Sequence, residues 1–167
     1  MATTTSKPGS TPRSLASTHP DGARLPRLTA ISLVLAVAGT GVAAYLTSVH
    51  YDDALLLCGV GNCETVQQSK YAEIAGIPVA LLGLLMYLAL AALGLLRWRR
   101  PDVRPAATTL AFAVALAGTI YAAYLTYLEI WVIDAICQWC VTSAILTLGI
   151  LVVESVAVWR VLGVTDS

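Results

Sequence analysis

Charged residues are absent from three long stretches of the chain, positions 28–49, 77–96 and 106–128. A fourth stretch, 136–159, holds one charge, Glu154, near its far end. Each is 20 to 24 residues long. A bilayer hydrocarbon core of about 30 Å needs about 20 helical residues to cross it. Lipid offers the backbone no hydrogen-bond partners, so helices are the expected form. The pattern predicts an all-α integral membrane domain over residues 28–160. Its architecture is a four-transmembrane-helix bundle, with a short interfacial helix in the first outer loop. Residues 1–27, rich in Ser, Thr and Pro, read as a disordered cytoplasmic tail, and 161–167 as a short C-terminal tail. The first 27 residues are also basic and poor in acid, as a plastid transit peptide is. The first apolar stretch exceeds the core of a signal peptide. Its Ala36-Val37-Ala38 lies inside the run rather than after it, so the stretch reads as a retained span.

Composition agrees with lipid as the solvent. The 167 residues are 57% hydrophobic and 12% charged, with a mean hydropathy of +0.76. That excludes an ordinary soluble domain. The formal net charge is zero, which gives no reason to expect nucleic acid as a partner.

The basic residues predict orientation. Lys7, Arg13, Arg24 and Arg27 precede the first span. Arg97, Arg99, Arg100 and Arg104 lie at the second-to-third connection, and Arg160 follows the fourth span. Only Lys70 falls in the other two connections. Cytoplasmic loops carry the excess of Lys and Arg, so both termini are expected inside. The outer segments are then about 49–76 and 129–135. Trp98 and Trp159 suit the inner interface; Tyr51, Tyr71 and Trp131 suit the outer one.

All four cysteines fall on that outer side. Cys58 and Cys63 lie in the first outer segment, and Cys137 and Cys140 where the second enters span four. Disulfides persist outside the cytoplasm, so two close pairs read as two dithiol/disulfide couples. Cys137-Gln138-Trp139-Cys140 has the spacing of a redox CxxC. At a helix start, unpaired N–H groups and the positive dipole end stabilise a thiolate, which is the nucleophile. The first pair encloses Gly59 and Gly61, whose backbones tolerate positive φ. Such a loop suits a mobile pair that carries a disulfide between a soluble partner and the embedded CxxC. Structural staples, a four-cysteine zinc site and inert thiols remain open as alternatives. The first two would make the chain a stapled membrane scaffold or a metal-binding membrane protein.

An internal echo accompanies the cysteines. Gly39-Thr40-Gly41-Val42-Ala43-Ala44-Tyr45-Leu46-Thr47 matches Gly118-Thr119-Ile120-Tyr121-Ala122-Ala123-Tyr124-Leu125-Thr126 at seven of nine positions, and the same offset of 79 carries Cys58 onto Cys137. The small residues predict close packing of spans one and three.

Over about residues 28–160 the chain resembles the bacterial branch of the vitamin K epoxide reductase family. The resemblance is carried by Cys58 and Cys63 after span one, Ser69 six residues beyond, Gly76-Ile77-Pro78-Val79-Ala80-Leu81-Leu82-Gly83 opening span two, and Cys137-Gln138-Trp139-Cys140 opening span four. It implies a quinone-dependent thiol–disulfide oxidoreductase in a plasma (inner) or thylakoid membrane. The acceptor would be ubiquinone, menaquinone or plastoquinone. Cys137 and Cys140 would form the active pair, with Cys140 at the quinone; Cys63 would exchange with Cys137; Cys58 would meet a thioredoxin-like partner. Ser69 would hydrogen-bond at the active site. Tyr121, Tyr124 and Tyr127 are candidates either to line the quinone pocket, Tyr124 foremost, or to anchor at the interface. Glu129, Asp134 and His50 read as solvated loop residues that could relay protons. Two departures stand against activity on vitamin K epoxide itself. Ala144 occupies a place where some members carry tyrosine, and no asparagine lies around 77–83. Many bacterial members continue into a thioredoxin-like domain; here the partner is expected to be a separate polypeptide.

Overall fold

The computed structural model describes residues 24–52, 54 and 56–163. Of the tails expected over 1–27 and 161–167, residues 1–23 and 164–167 lie outside the described residues, while 24–27 and 161–163 are helical. Four helices are long and apolar enough to cross a membrane, making this a multi-pass membrane protein. They are α1 (Arg24–Tyr51), α3 (Val79–Arg99), α4 (Arg104–Leu128) and α5 (Gln138–Gly163). A short helix, α2 (Cys63–Gln67), follows the first cysteine loop. Helix α1 starts four residues before the first uncharged stretch, so Arg24–Arg27 belong to the helix.

The boundaries have local causes. Strands β1 (Glu73–Ile74) and β2 (Ile77–Pro78) pair antiparallel across the two-residue turn Ala75–Gly76. Ala75 and Gly76 have φ of 52° and 80°. That is the sign a tight hairpin turn of this twist demands at both positions. Pro78, at φ −57°, then caps α3. Pro101 cannot continue α3 and opens a 3-10 turn, Pro101–Val103; Pro105 sits in the first turn of α4, where its missing N–H is harmless.

The spans form a ring in which α1 neighbours α3 and α5, and α4 neighbours the same two. Spans one and three, α1 and α4, are therefore diagonal, which corrects the close packing expected from the echo. The small residues serve other partners. A side chain at Gly39 would collide with the Tyr87 ring of α3, and one at Gly118 with the Met86 sulfur of the same helix. Ala36 and Ala43 on α1 and Ala111 and Ala115 on α4 pack with Tyr87, Leu90 and Ile150 in the core. Lipid tails are as apolar as leucine, so close backbone approach and polar contacts hold such a bundle.

Polar contacts supply the specificity. The Tyr87 hydroxyl crosses to α5, 2.7 Å from Thr147 Oγ1 and donating to the Ser143 carbonyl at 2.8 Å. At the end remote from the cysteines, Arg97 of α3 donates both terminal nitrogens to Glu154 of α5 at 2.7 Å. Ser32 of α1 donates to the same carboxylate. Three spans are thus tied at one fully buried point.

Candidate redox site

The second outer segment forms a tight turn before the CxxC. Helix α4 ends in a π turn, Glu129–Ile133, closed by Asp134 in the left-handed conformation at φ 52°. The Glu129 carbonyl accepts the Ala135 N–H at 3.0 Å, while its carboxylate accepts the Cys137 N–H at 3.1 Å. This tight turn buries Glu129 to 3% exposure. The reading of Glu129 as a solvated loop charge is therefore corrected. A π turn is a rare departure from the α-helix and is frequent at functional sites.

Cys137 lies immediately before α5, and its carbonyl accepts the first helical bond, from Val141, at 3.0 Å. It is fully buried; Cys140, one turn on, is half-buried. Both are free thiols, whereas Cys58 and Cys63 form a disulfide with Cα atoms 6.0 Å apart. The Cys137 thiol is lowered to about 7, chiefly by a hydrogen bond from the Cys140 thiol and also by the N–H groups of Cys140 and Trp139. Burial and the nearby Glu129 charge oppose the shift. Near neutral pH a substantial fraction is thiolate, the form that attacks disulfides.

The first cysteine loop is docked on this helix start. Gly61 forms an isolated antiparallel bridge with Cys137, and the Asn62 N–H donates to the Ile136 carbonyl at 3.0 Å. At φ 90°, Gly61 approaches Ile136 so closely that a Cβ would strike the carbonyl. Glycine here serves a close approach, beyond the mobility expected of it. The two residues between the CxxC cysteines complete the docking. Gln138 Oε1 accepts the Val60 N–H at 3.0 Å, and Trp139 Nε1 donates to the Leu57 carbonyl at 2.8 Å. Tyr45 of α1 stacks obliquely on Trp139, with ring centroids 4.9 Å apart, and accepts the Leu57 N–H at 2.7 Å. The residue before Cys58 is thus held at both its N–H and its C=O. Gln138 and Trp139 thus do more than set the CxxC spacing. No local signal marks contacts made to a segment some 80 positions away.

Cys63 and Cys137 share one fully buried cluster, with Val66 and Ala135. Cys58 faces outward between Leu57 and Val60, exposed to 73% and 75%. One pair therefore has an exposed end and a buried end, and the buried end meets the second pair.

Cys140 opens into a cavity of about 290 Å³ between the helices. Leu46, Val79, Leu82, Met86, Leu125 and Ile133 form its apolar wall; Ser69, Tyr121, Thr126 and Glu129 bring polar groups. Ser69 reaches it from the turn after α2, where its hydroxyl donates to the Val66 carbonyl at 2.8 Å. Ala144, one turn beyond Cys140, also lines it. Tyr124 does not. It is 51% exposed on α4, and Tyr121 takes the lining position instead. Tyr127 is likewise exposed and stacks on Trp131 at 5.4 Å. His50 touches both this cavity and a polar surface cleft, where it pairs with Glu73 at 3.1 Å.

A membrane bundle with one formed disulfide, a docked CxxC dithiol and an adjoining apolar cavity is equipped for thiol–disulfide redox chemistry. The vitamin K epoxide reductase family model matches residues 30–155, which include all four cysteines, Ser69 and the cavity. The chain is a membrane oxidoreductase that belongs to the vitamin K epoxide reductase family.

Proposed function

We propose that this protein oxidises a separate thioredoxin-like protein and passes the electrons to a membrane quinone, so supplying disulfide bonds. The observation that carries the reading is the serial arrangement of the two pairs. An exposed Cys58 is bonded to a buried Cys63; Cys63 shares a buried cluster with Cys137; Cys140 opens into an apolar cavity.

Each protein step is thiolate attack on a disulfide through a mixed disulfide. A partner thiolate attacks Cys58, and Leu57 and Val60 give its peptide an apolar rim. The reduced first pair then exchanges from Cys63 onto Cys137. The state described, with Cys58–Cys63 oxidised and Cys137 and Cys140 reduced, is the one expected after that exchange and before the quinone is reduced. The quinone supplies the electron-accepting chemistry, and the protein supplies position and thiolate stabilisation. The cavity suits an apolar ring, with the Tyr121 hydroxyl on its wall to donate to a quinone oxygen; the Ser69 hydroxyl would do so on leaving the Val66 carbonyl. Ala144 leaves space where some members carry tyrosine, which favours quinone over an epoxide substrate. By the distribution of Lys and Arg, the cysteines face outward and both termini are cytoplasmic, in a plasma (inner) or thylakoid membrane.

Replacing Cys58 by Ala tests the serial order. It should block oxidation of the protein partner while largely sparing quinone reduction by dithiothreitol. Equal loss with both substrates would remove the delivery role of Cys58.

A further inference from the structure

The mechanism above leaves one buried group unused. Glu129 is 3% exposed, lines the same cavity as Cys140, and is held there by the π turn. Its carboxylate accepts the Cys137 N–H at 3.1 Å, and it shares the wall of that cavity with Cys140. Among the described residues no basic side chain pairs with Glu129. Besides Cys140, the other titratable groups at the cavity are Tyr71, Tyr121 and His50.

We propose that Glu129 is a catalytic residue, the base that takes the Cys140 proton as the dithiol is oxidised and returns it to the reduced quinone. This rests on the quinone reading above. The Cys137–Cys140 disulfide forms; two electrons and two protons leave the thiols, and the quinone becomes quinol. One proton passes from Cys140 through Glu129 to a quinol oxygen. The other leaves Cys137 on ionisation and is matched by one taken up from water. A carboxylate on the cavity wall lets the sulfur lose its proton where water is scarce, and positioned acid–base groups contribute about 10²–10⁴-fold.

Glu129→Gln separates this role from a positioning role, because its Oε1 can still accept the Cys137 N–H. In single-turnover quinone reduction at neutral pH by the reduced, full-length protein, the variant should be about 100-fold slower. In quinone-free protein, exchange between the two cysteine pairs should not slow, because losing the Glu129 charge favours the Cys137 thiolate. Alkylation of Cys140, read by peptide mass, should become several-fold faster, because a like charge that disfavours the thiolate has gone. Opposite movements of alkylation and turnover are the signature of proton transfer. Wild-type turnover in Glu129→Gln, or loss of turnover with unchanged Cys140 alkylation, overturns the proposal. If Glu129→Gln does not fold, Glu129→Asp decides. It should retain part of the turnover with a displaced pH profile, and an unchanged profile overturns the role. If wild-type protein reduces none of the three quinones, the function reading fails, and that outcome is distinct from an inert Glu129.

Discussion

Two glutamates are buried at opposite ends of this bundle, and they have opposite surroundings. Glu154 is saturated: two nitrogens of Arg97 and the Ser32 hydroxyl converge on it, and no described cavity adjoins it. Glu129 has one backbone N–H, a thiol beside it and an open cavity in front. Ionisable groups at membrane depth are expensive and persist when paired or functional. The two ends illustrate the two reasons. The first carboxylate locks α1, α3 and α5 in register. The second stands free of any described basic side chain, next to reactive sulfur. Burial alone does not identify a working residue; burial with unspent hydrogen-bonding capacity at a cavity does.

The sharpest way to break this comparison is at the cysteine end. Cys137→Ala and Cys140→Ala should each abolish quinone reduction by dithiols, with turnover down to background. Melting of the detergent-solubilised variants should stay close to that of the parent. Wild-type-like turnover in either would contradict the division.

The remote end predicts the reverse pattern. Arg97→Leu leaves Glu154 buried and unpaired, and breaking such a pair from one side costs about 3–5 kcal/mol. That should appear as a large fall in melting temperature, with turnover per folded molecule little changed. Replacing both partners, Arg97→Met with Glu154→Leu, should recover most of the loss, because two apolar side chains need no compensation in lipid. If the double variant melts as low as the single one, Arg97 and Glu154 are not a self-contained lock.

A smaller effect sharpens the docking of the first loop. Trp139→Phe keeps a ring against Tyr45 but removes the bond to the Leu57 carbonyl. One hydrogen bond contributes about 1 kcal/mol. Exchange between the pairs, followed by quenched-flow thiol trapping, should slow several-fold while dithiothreitol-driven quinone reduction is nearly unaffected. The smallest effect is with pH. The Cys137 thiol is lowered to about 7, so it is protonated and unreactive below that value and ionised above it. Dithiol oxidation should rise through about pH 7 and gain only about twofold beyond it. A rise centred near 9, the ordinary thiol value, would show that Cys140 does not assist.

How legible each part was follows from the range of the interactions involved. The spans could be read directly, because lipid excludes charge over a fixed length and Leu28–Val49 or Ile77–Leu96 satisfy that condition residue by residue. The CxxC at the start of α5 also rests on a local rule, whereas the hairpin before α3 was not foreseen. Features made by distant segments were hidden. Glu154 read as a lone charge because Arg97 stands 57 positions away. Gln138 and Trp139 carried no signal of their docking role because their partners, Val60 and Leu57, lie some 80 positions away. Glu129 read as solvated because nothing local foretells a π turn. The echo between Gly39 and Gly118 was real in sequence, yet both glycines make room for α3 rather than for each other. Among the tyrosines, only the rotation of α4 decides that Tyr121 and not Tyr124 faces the cavity.

The central claim is that the two pairs act in series toward a quinone. The most direct test traps thiols in purified, fully reduced protein in lipid vesicles before and after quinone is added. The account predicts that Cys137 and Cys140 are lost to alkylation first, followed by Cys58 and Cys63, each dependent on quinone. A protein whose disulfides resist reduction, or whose four thiols stay free when ubiquinone, menaquinone and plastoquinone are each added, would contradict it.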